Sequence, residues 1–99
     1  MQIVSQSTNS NTPAIASSAT ALASNPARIY WMIQNLGTNP LFVRLGAGAS
    51  TTVFHVVLKG GSGNDDGLGA SISSDNVVYT GIISVAGTSP RYTVTEIAP

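Results

Sequence analysis

Two runs inside the stretch Arg28 to Gly46 restrict what this chain can become. In the first, Ile29, Trp31 and Ile33 alternate with Arg28, Tyr30, Met32 and Gln34. In the second, Leu41, Val43 and Leu45 alternate with Phe42 and Arg44. A period of two in β-branched and aromatic residues is that of a half-buried strand, with one face on a core and the other turned away. Asn35-Leu36-Gly37-Thr38-Asn39-Pro40 interrupts the pattern. Gly37 and the asparagines tolerate positive φ, and Pro40 has no N–H to give a ladder. The direct expectation is a hairpin whose Ile29, Trp31, Ile33, Leu41, Val43 and Leu45 face one core. Tyr30, Met32 and Phe42 then lie together on the other face, with Arg28, Gln34 and Arg44 among them.

The remaining segments repeat the theme. Residues 1–12 are polar after Ile3-Val4 and read as a flexible N-terminal arm, with Ile3 and Val4 as an apolar foothold on a neighbouring subunit. Residues 13–99 read as a single β-sandwich domain. Its first part, residues 13–24, is alanine-rich but scattered with Ser and Thr and bracketed by Pro13 and Pro26. An extended segment is preferred there, with a helix as the alternative. Val53 to Lys59 reads as a central or interface strand, apolar on both faces. Residues 60–67 form a Gly/Asp loop read as flexible, and Leu68 to Ser73 a weak strand. Val77 to Val85 reads as a long strand with Gly81 as a bulge or a close backbone approach. Arg91 to Ile97 closes the chain with Tyr92 and Val94 on one face. Short strands at this spacing predict an all-β fold: a compact antiparallel β-sandwich or small jelly-roll-like barrel of about 7–8 strands.

Charge narrows the function classes. Only 8% of the 99 residues are charged, four basic and four acidic, and the net charge is zero. An ordinary domain carries about 25%. No basic footprint for nucleic acid is present. No run approaches the length of a membrane span. Cysteine is absent, which removes disulfides and thiolate metal sites. The N-terminus lacks the basic region of a cleaved signal, so the expectation is a chain made in the cytoplasm. With so few charges to guard its sheet edges, the fold is expected to cover them with loops or neighbouring subunits.

The candidates for chemistry are weak. His55 is the single histidine and sits in a predicted strand, with no Gly-x-Ser-x-Gly elbow anywhere to support a nucleophile. Gly63-Asn64-Asp65-Asp66-Gly67 lacks the alternating ligands and distal glutamate of a calcium loop. Gly46-Ala47-Gly48 lacks the third glycine and the helix of a dinucleotide fingerprint. Gly60-Gly61-Ser62-Gly63 lacks the lysine of a phosphate loop. No catalytic residue, cofactor or metal is expected. Tyr30, Trp31, Tyr79 and Tyr92 could stack on a sugar, although Trp31 keeps register with Ile29 and Ile33 and so belongs in the core. Tyr, Phe, Met and Arg are the residues enriched at interface centres. Tyr30, Met32, Phe42 and Arg44, with Ile3 and Val4, are therefore the candidate partner or oligomer contacts. The competing expectation is that another part of the same domain covers that face.

Three stretches together resemble a group of small tailed-phage virion proteins with β-sandwich domains. They are Arg28-Ile-Tyr-Trp-Met-Ile-Gln-Asn-Leu-Gly-Thr-Asn-Pro-Leu-Phe-Val-Arg-Leu-Gly, Phe54 to Gly67, and Val77 to Glu96, which contains Tyr79-Thr80-Gly81-Ile82-Ile83 and ends on Arg91-Tyr92-Thr93-Val94-Thr95-Glu96. The similar proteins share an arginine–aromatic strand, Gln-Asn, Asn-Pro, a strand and Gly, and close on Tyr-x-Val-x-Glu. The resemblance spans roughly residues 26–97. It implies a capsid decoration (cement) protein on the virion exterior, binding the major capsid protein or other virion subunits, and usually a homo-oligomer, with a trimer favoured. It carries over no catalytic residues. The alternative is a carbohydrate- or receptor-binding module of a head fibre or tail accessory protein.

Overall fold

A computed structural model describes the backbone of residues 6–12 and all of residues 18–99. Ile3 and Val4 lie outside the described residues, as do residues 13–17 of the alanine-rich segment. The described residues form β1 (Gln6–Thr12), β2 (Ser18–Leu22), β3 (Tyr30–Asn35), β4 (Leu41–Leu45), β5 (Val56–Leu58), β6 (Ser71–Ser73), β7 (Ile83–Ala86) and β8 (Tyr92–Ala98). Two antiparallel sheets result: sheet A in the order β1-β8-β3-β6 and sheet B in the order β2-β7-β4-β5. The chain pairs with itself in reverse, β1 with β8, β2 with β7, β3 with β6 and β4 with β5. Rolling that folded ribbon adds the β3–β8 and β4–β7 ladders. Eight strands in this order are the jelly-roll form of the sandwich. The expectation of an all-β antiparallel sandwich holds.

The core lies between the sheets. Trp31, Ile33, Tyr92 and Val94 come from sheet A, and Leu41, Val43, Leu58, Ile83 and Val85 from sheet B. On β3 burial alternates strictly, with Trp31, Ile33 and Asn35 inward. The period-two reading of which side chains face in is therefore met at Trp31, Ile33, Leu41 and Val43. Burying each such side chain stabilises the fold by about 1.5–3 kcal/mol.

The hairpin expectation is corrected. β3 and β4 belong to different sheets. Residues 36–40 form an arch over the end of the sandwich, and Asn35 holds it there. This residue is 1% exposed. Its Oδ1 accepts the Gly37 N–H at 2.8 Å, and its Nδ2 donates to the carbonyls of Asn39 (2.8 Å) and Leu58 (2.9 Å). The last bond reaches across to sheet B. Alternation is the same for a hairpin and an arch, so periodicity alone does not separate them.

Three further segments differ from the sequence expectation. Gln6–Thr12, read as part of an arm outside the domain, pair with β8 from Gln6↔Ala98 to Thr12↔Tyr92. The strand expected over 53–59 is only Val56–Leu58, and as the edge of sheet B it is not central, which leaves the interface alternative. The strand expected over 77–85 is confined to Ile83–Ala86. Before it, the Tyr79 and Gly81 carbonyls turn to the Arg28 guanidinium at 2.8 and 3.0 Å instead of to a neighbouring strand. The sequence expectation for Gly81 is a bulge or a close backbone approach; what a Cβ there would meet is the Tyr79 ring and hydroxyl, a side chain and not a backbone.

Candidate interaction surface

The outer face of sheet B is built from β2, β7, β4 and β5. Phe42 stands opposite Ala86 on one side and Val57 on the other, and Arg44 stands opposite Ser84. Ser84 and Ala86 point away from the core yet are only 2% exposed. The segment after β4 covers them. Ser84 Oγ accepts the Ala49 N–H at 2.9 Å and donates to the Gly46 carbonyl at 2.6 Å. Ser18 Oγ donates to the Ala49 carbonyl at 3.2 Å. Residues 46–50 thus seal the β2–β7 half of this face from within the chain.

The β4–β5 half is left open. A turn at Ser50–Val53, closed by Ser50 N–H to the Val53 carbonyl (3.0 Å), shifts the phase of the chain entering β5. Phe54 shares its parity with Val56 and Leu58 but does not turn inward with them. It lies on the outside against Phe42, edge to face, with ring centroids 5.0 Å apart. Phe54 is 41% exposed and Val57 42% exposed. Arg44 lies two residues beyond Phe42, and Lys59 two residues beyond Val57, on the outward parity of their strands. Neither joins an ion pair among the described residues. The result is an apolar cluster of Phe42, Phe54 and Val57 with an unpaired cation at each end.

The predicted contact residues do not form one patch. Tyr30 and Met32 face out from sheet A, where they pair with Ile97 and with Thr95 of β8. Phe42 and Arg44 face out from sheet B. The two pairs lie on opposite sides of the molecule, because β3 and β4 do. Arg28 is also displaced from the outward face. Asn25 Oδ1 accepts the Ala27 N–H and the Asn25 carbonyl the Arg28 N–H, so the chain turns just before β3 and the alternation does not extend back. Arg28 is 3% exposed. It meets Glu96 at 2.8 Å and donates to the carbonyls of Tyr79, Gly81 and Ala23. Asn25 Nδ2 supports the other Glu96 oxygen at 3.1 Å. Sequence reasoning missed this cluster, though a signal existed. Glu96 shares its parity with Tyr92 and Val94, and a carboxylate on an inward parity requires a cation.

The other candidates resolve in the same terms. Trp31 and Tyr92 are core residues, and Tyr79 packs against that core, so the four aromatics make no common sugar platform. His55 donates its backbone N–H to the Val43 carbonyl at 2.8 Å, and its Nδ1 accepts the Leu45 N–H at 3.0 Å. It prolongs the β4–β5 pairing. The 60–67 loop is tied down rather than free. Gly61 and Asp65 donate their N–H groups to the Gly37 and Leu36 carbonyls of the arch. Asp66 accepts the N–H groups of Ser62, Gly63 and Leu68, each at 2.9 Å. Those bonds, Leu68 foremost, hold its carboxyl below the ordinary aspartate range. Asp65 is lowered likewise by its paired hydrogen bonds to Arg91, which Asp65 raises in turn.

No protein-family model matches this chain, and neither a curated protein nor a solved structure does.

Proposed function

We propose that this chain is a structural virion protein of a tailed bacteriophage, a decoration (cement) protein that binds the assembled capsid and stabilises it. The observation that carries the proposal is the apolar cluster on the outer face of sheet B. Phe42, Phe54 and Val57 are contiguous there, on a chain with only four basic and four acidic residues. Contiguous exposed apolar surface marks a protein contact more often than it serves a monomer. The resemblance of residues 26–97 to phage virion proteins supports the same reading. So, by analogy of fold alone, does the jelly roll, which many viral capsid domains share. The partner is then the major capsid protein or another virion subunit, and the role calls for no catalytic group or cofactor.

The test is direct. Capsids lacking the protein are incubated with the purified chain and pelleted. Saturable co-sedimentation, with a rise in the temperature at which the capsid disassembles, is expected. A chain that stays in the supernatant at saturating concentration contradicts the proposal.

A further inference from the structure

The charged residues without an ion-pair partner among the described residues are not distributed at random. Arg28 pairs with Glu96, and Arg91 pairs with Asp65. Asp66 is held by three backbone N–H groups of its own loop. Arg44 and Lys59 remain, one at each end of the Phe42–Phe54–Val57 cluster on sheet B. Asp75 remains elsewhere, on the turn that follows β6, the edge strand of sheet A.

That turn has a second feature. Val77, two residues after Asp75, is 84% exposed, the highest value among the exposed large apolar residues of the described chain. The base of the turn is fixed. Ser74 donates its N–H to the Trp31 carbonyl at 2.9 Å, and its Oγ accepts the Trp31 N–H at 3.0 Å. A pre-positioned turn loses little freedom when it docks. It offers one carboxylate and one aliphatic side chain, the complement of an apolar cluster flanked by cations.

We infer that this chain self-associates head to tail, the Asp75–Val77 turn of one copy seating on the Phe42–Phe54–Val57 face of the next, with Asp75 directed to Arg44 or Lys59. This rests on the reading of that face as a contact surface and takes the virion subunit it meets to be a second copy of the chain rather than the capsid protein. Two copies meeting face to face would bring four cations together with no carboxylate between them, and like-charge juxtaposition disfavours such a pairing. A head-to-tail contact uses two different surfaces, so it closes into a ring or continues as a chain.

The experiment uses two variants of the full chain. Phe54→Glu/Val57→Glu removes the receiving face, and Asp75→Lys/Val77→Glu removes the inserting turn. All four positions are exposed. Circular dichroism checks that each variant keeps the wild-type fold, and the single reversals Lys59→Glu and Asp75→Lys serve as milder substitutes if either does not. By sedimentation equilibrium the wild type is expected to exceed 10.1 kDa, and each variant alone to stay at that mass. Mixed in equal amounts, the two variants should form a dimer of twice that mass, because one intact turn meets one intact face. A turn variant that assembles like the wild type, a mixture that stays monomeric, or a wild type that is monomeric at every concentration overturns the inference. Capsid co-sedimentation of the wild type is scored separately. A monomer that still binds capsids therefore sinks this inference and leaves the proposed function standing.

Discussion

Two ion pairs among the described residues do opposite work. Arg28–Glu96 is enclosed, with none of the arginine side chain accessible and 18% of the glutamate. Its guanidinium gathers the Ala23, Tyr79 and Gly81 carbonyls, so one side chain ties the turn before β3, the irregular approach to β7 and the end of β8. Arg91–Asp65 is open, with 29% and 48% of the side chains accessible. It clips the 60–67 loop against the strand end next to the arch. Water can replace the second pair at small cost, whereas nothing replaces the first. A chain with only four basic and four acidic residues has placed one arginine where it organises the backbone.

The largest expected effect comes from breaking the enclosed pair. Arg28→Ala should destabilise the fold by about 3–5 kcal/mol, because it strands a largely buried carboxylate. That is a large share of the roughly 5–15 kcal/mol available to a domain. Urea denaturation reads it, and a loss under about 1 kcal/mol would place the pair with exposed ones. The double variant Arg28→Met/Glu96→Leu sharpens the point. It removes the charge problem but leaves the Ala23, Tyr79 and Gly81 carbonyls without their donor. Recovery should therefore be partial. Full recovery would mean that the carbonyl bonds contribute little.

The open pair and its neighbour Asp66 should respond to acid. Asp65 and Asp66 both titrate below the ordinary 3.8 in the folded protein. A depressed carboxyl contributes stability that is present above 3.8 and lost as pH falls through the folded value. Thermal melts should thus fall away below about pH 4. Asp65→Asn/Asp66→Asn should lower stability at pH 7 and flatten that acid limb. An unchanged limb in the double variant would assign the acid sensitivity to another carboxylate.

What the sequence makes legible is the direction of side chains, not the sheet they belong to. Trp31, Ile33, Leu41, Val43, Tyr92 and Val94 announce themselves as inward by period two, and all are buried. That β3 and β4 lie in different sheets leaves no such mark, and the Asn35 side-chain bonds to the arch and to Leu58 that accompany it have no periodic signature. The same gap divides the contact surface. Tyr30, Met32 and Phe42 all take the outward parity of their strands, but outward from opposite sheets. Phe54 is hidden by a different cause, a phase shift at the Ser50–Val53 turn that only the hydrogen bonds reveal.

The two outer faces of the sandwich are separable by one measurement. Phe54→Glu/Val57→Glu charges the sheet B face, and Tyr30→Glu/Met32→Glu charges the sheet A face. Both variants and the wild type are compared for self-association and for capsid co-sedimentation at equal concentration, with circular dichroism as the check on folding. The sheet B variant is expected to stay folded and lose binding, while the sheet A variant binds as the wild type does. A sheet A variant that loses binding beside a sheet B variant that keeps it would contradict the assignment of the contact surface to Phe42, Phe54 and Val57.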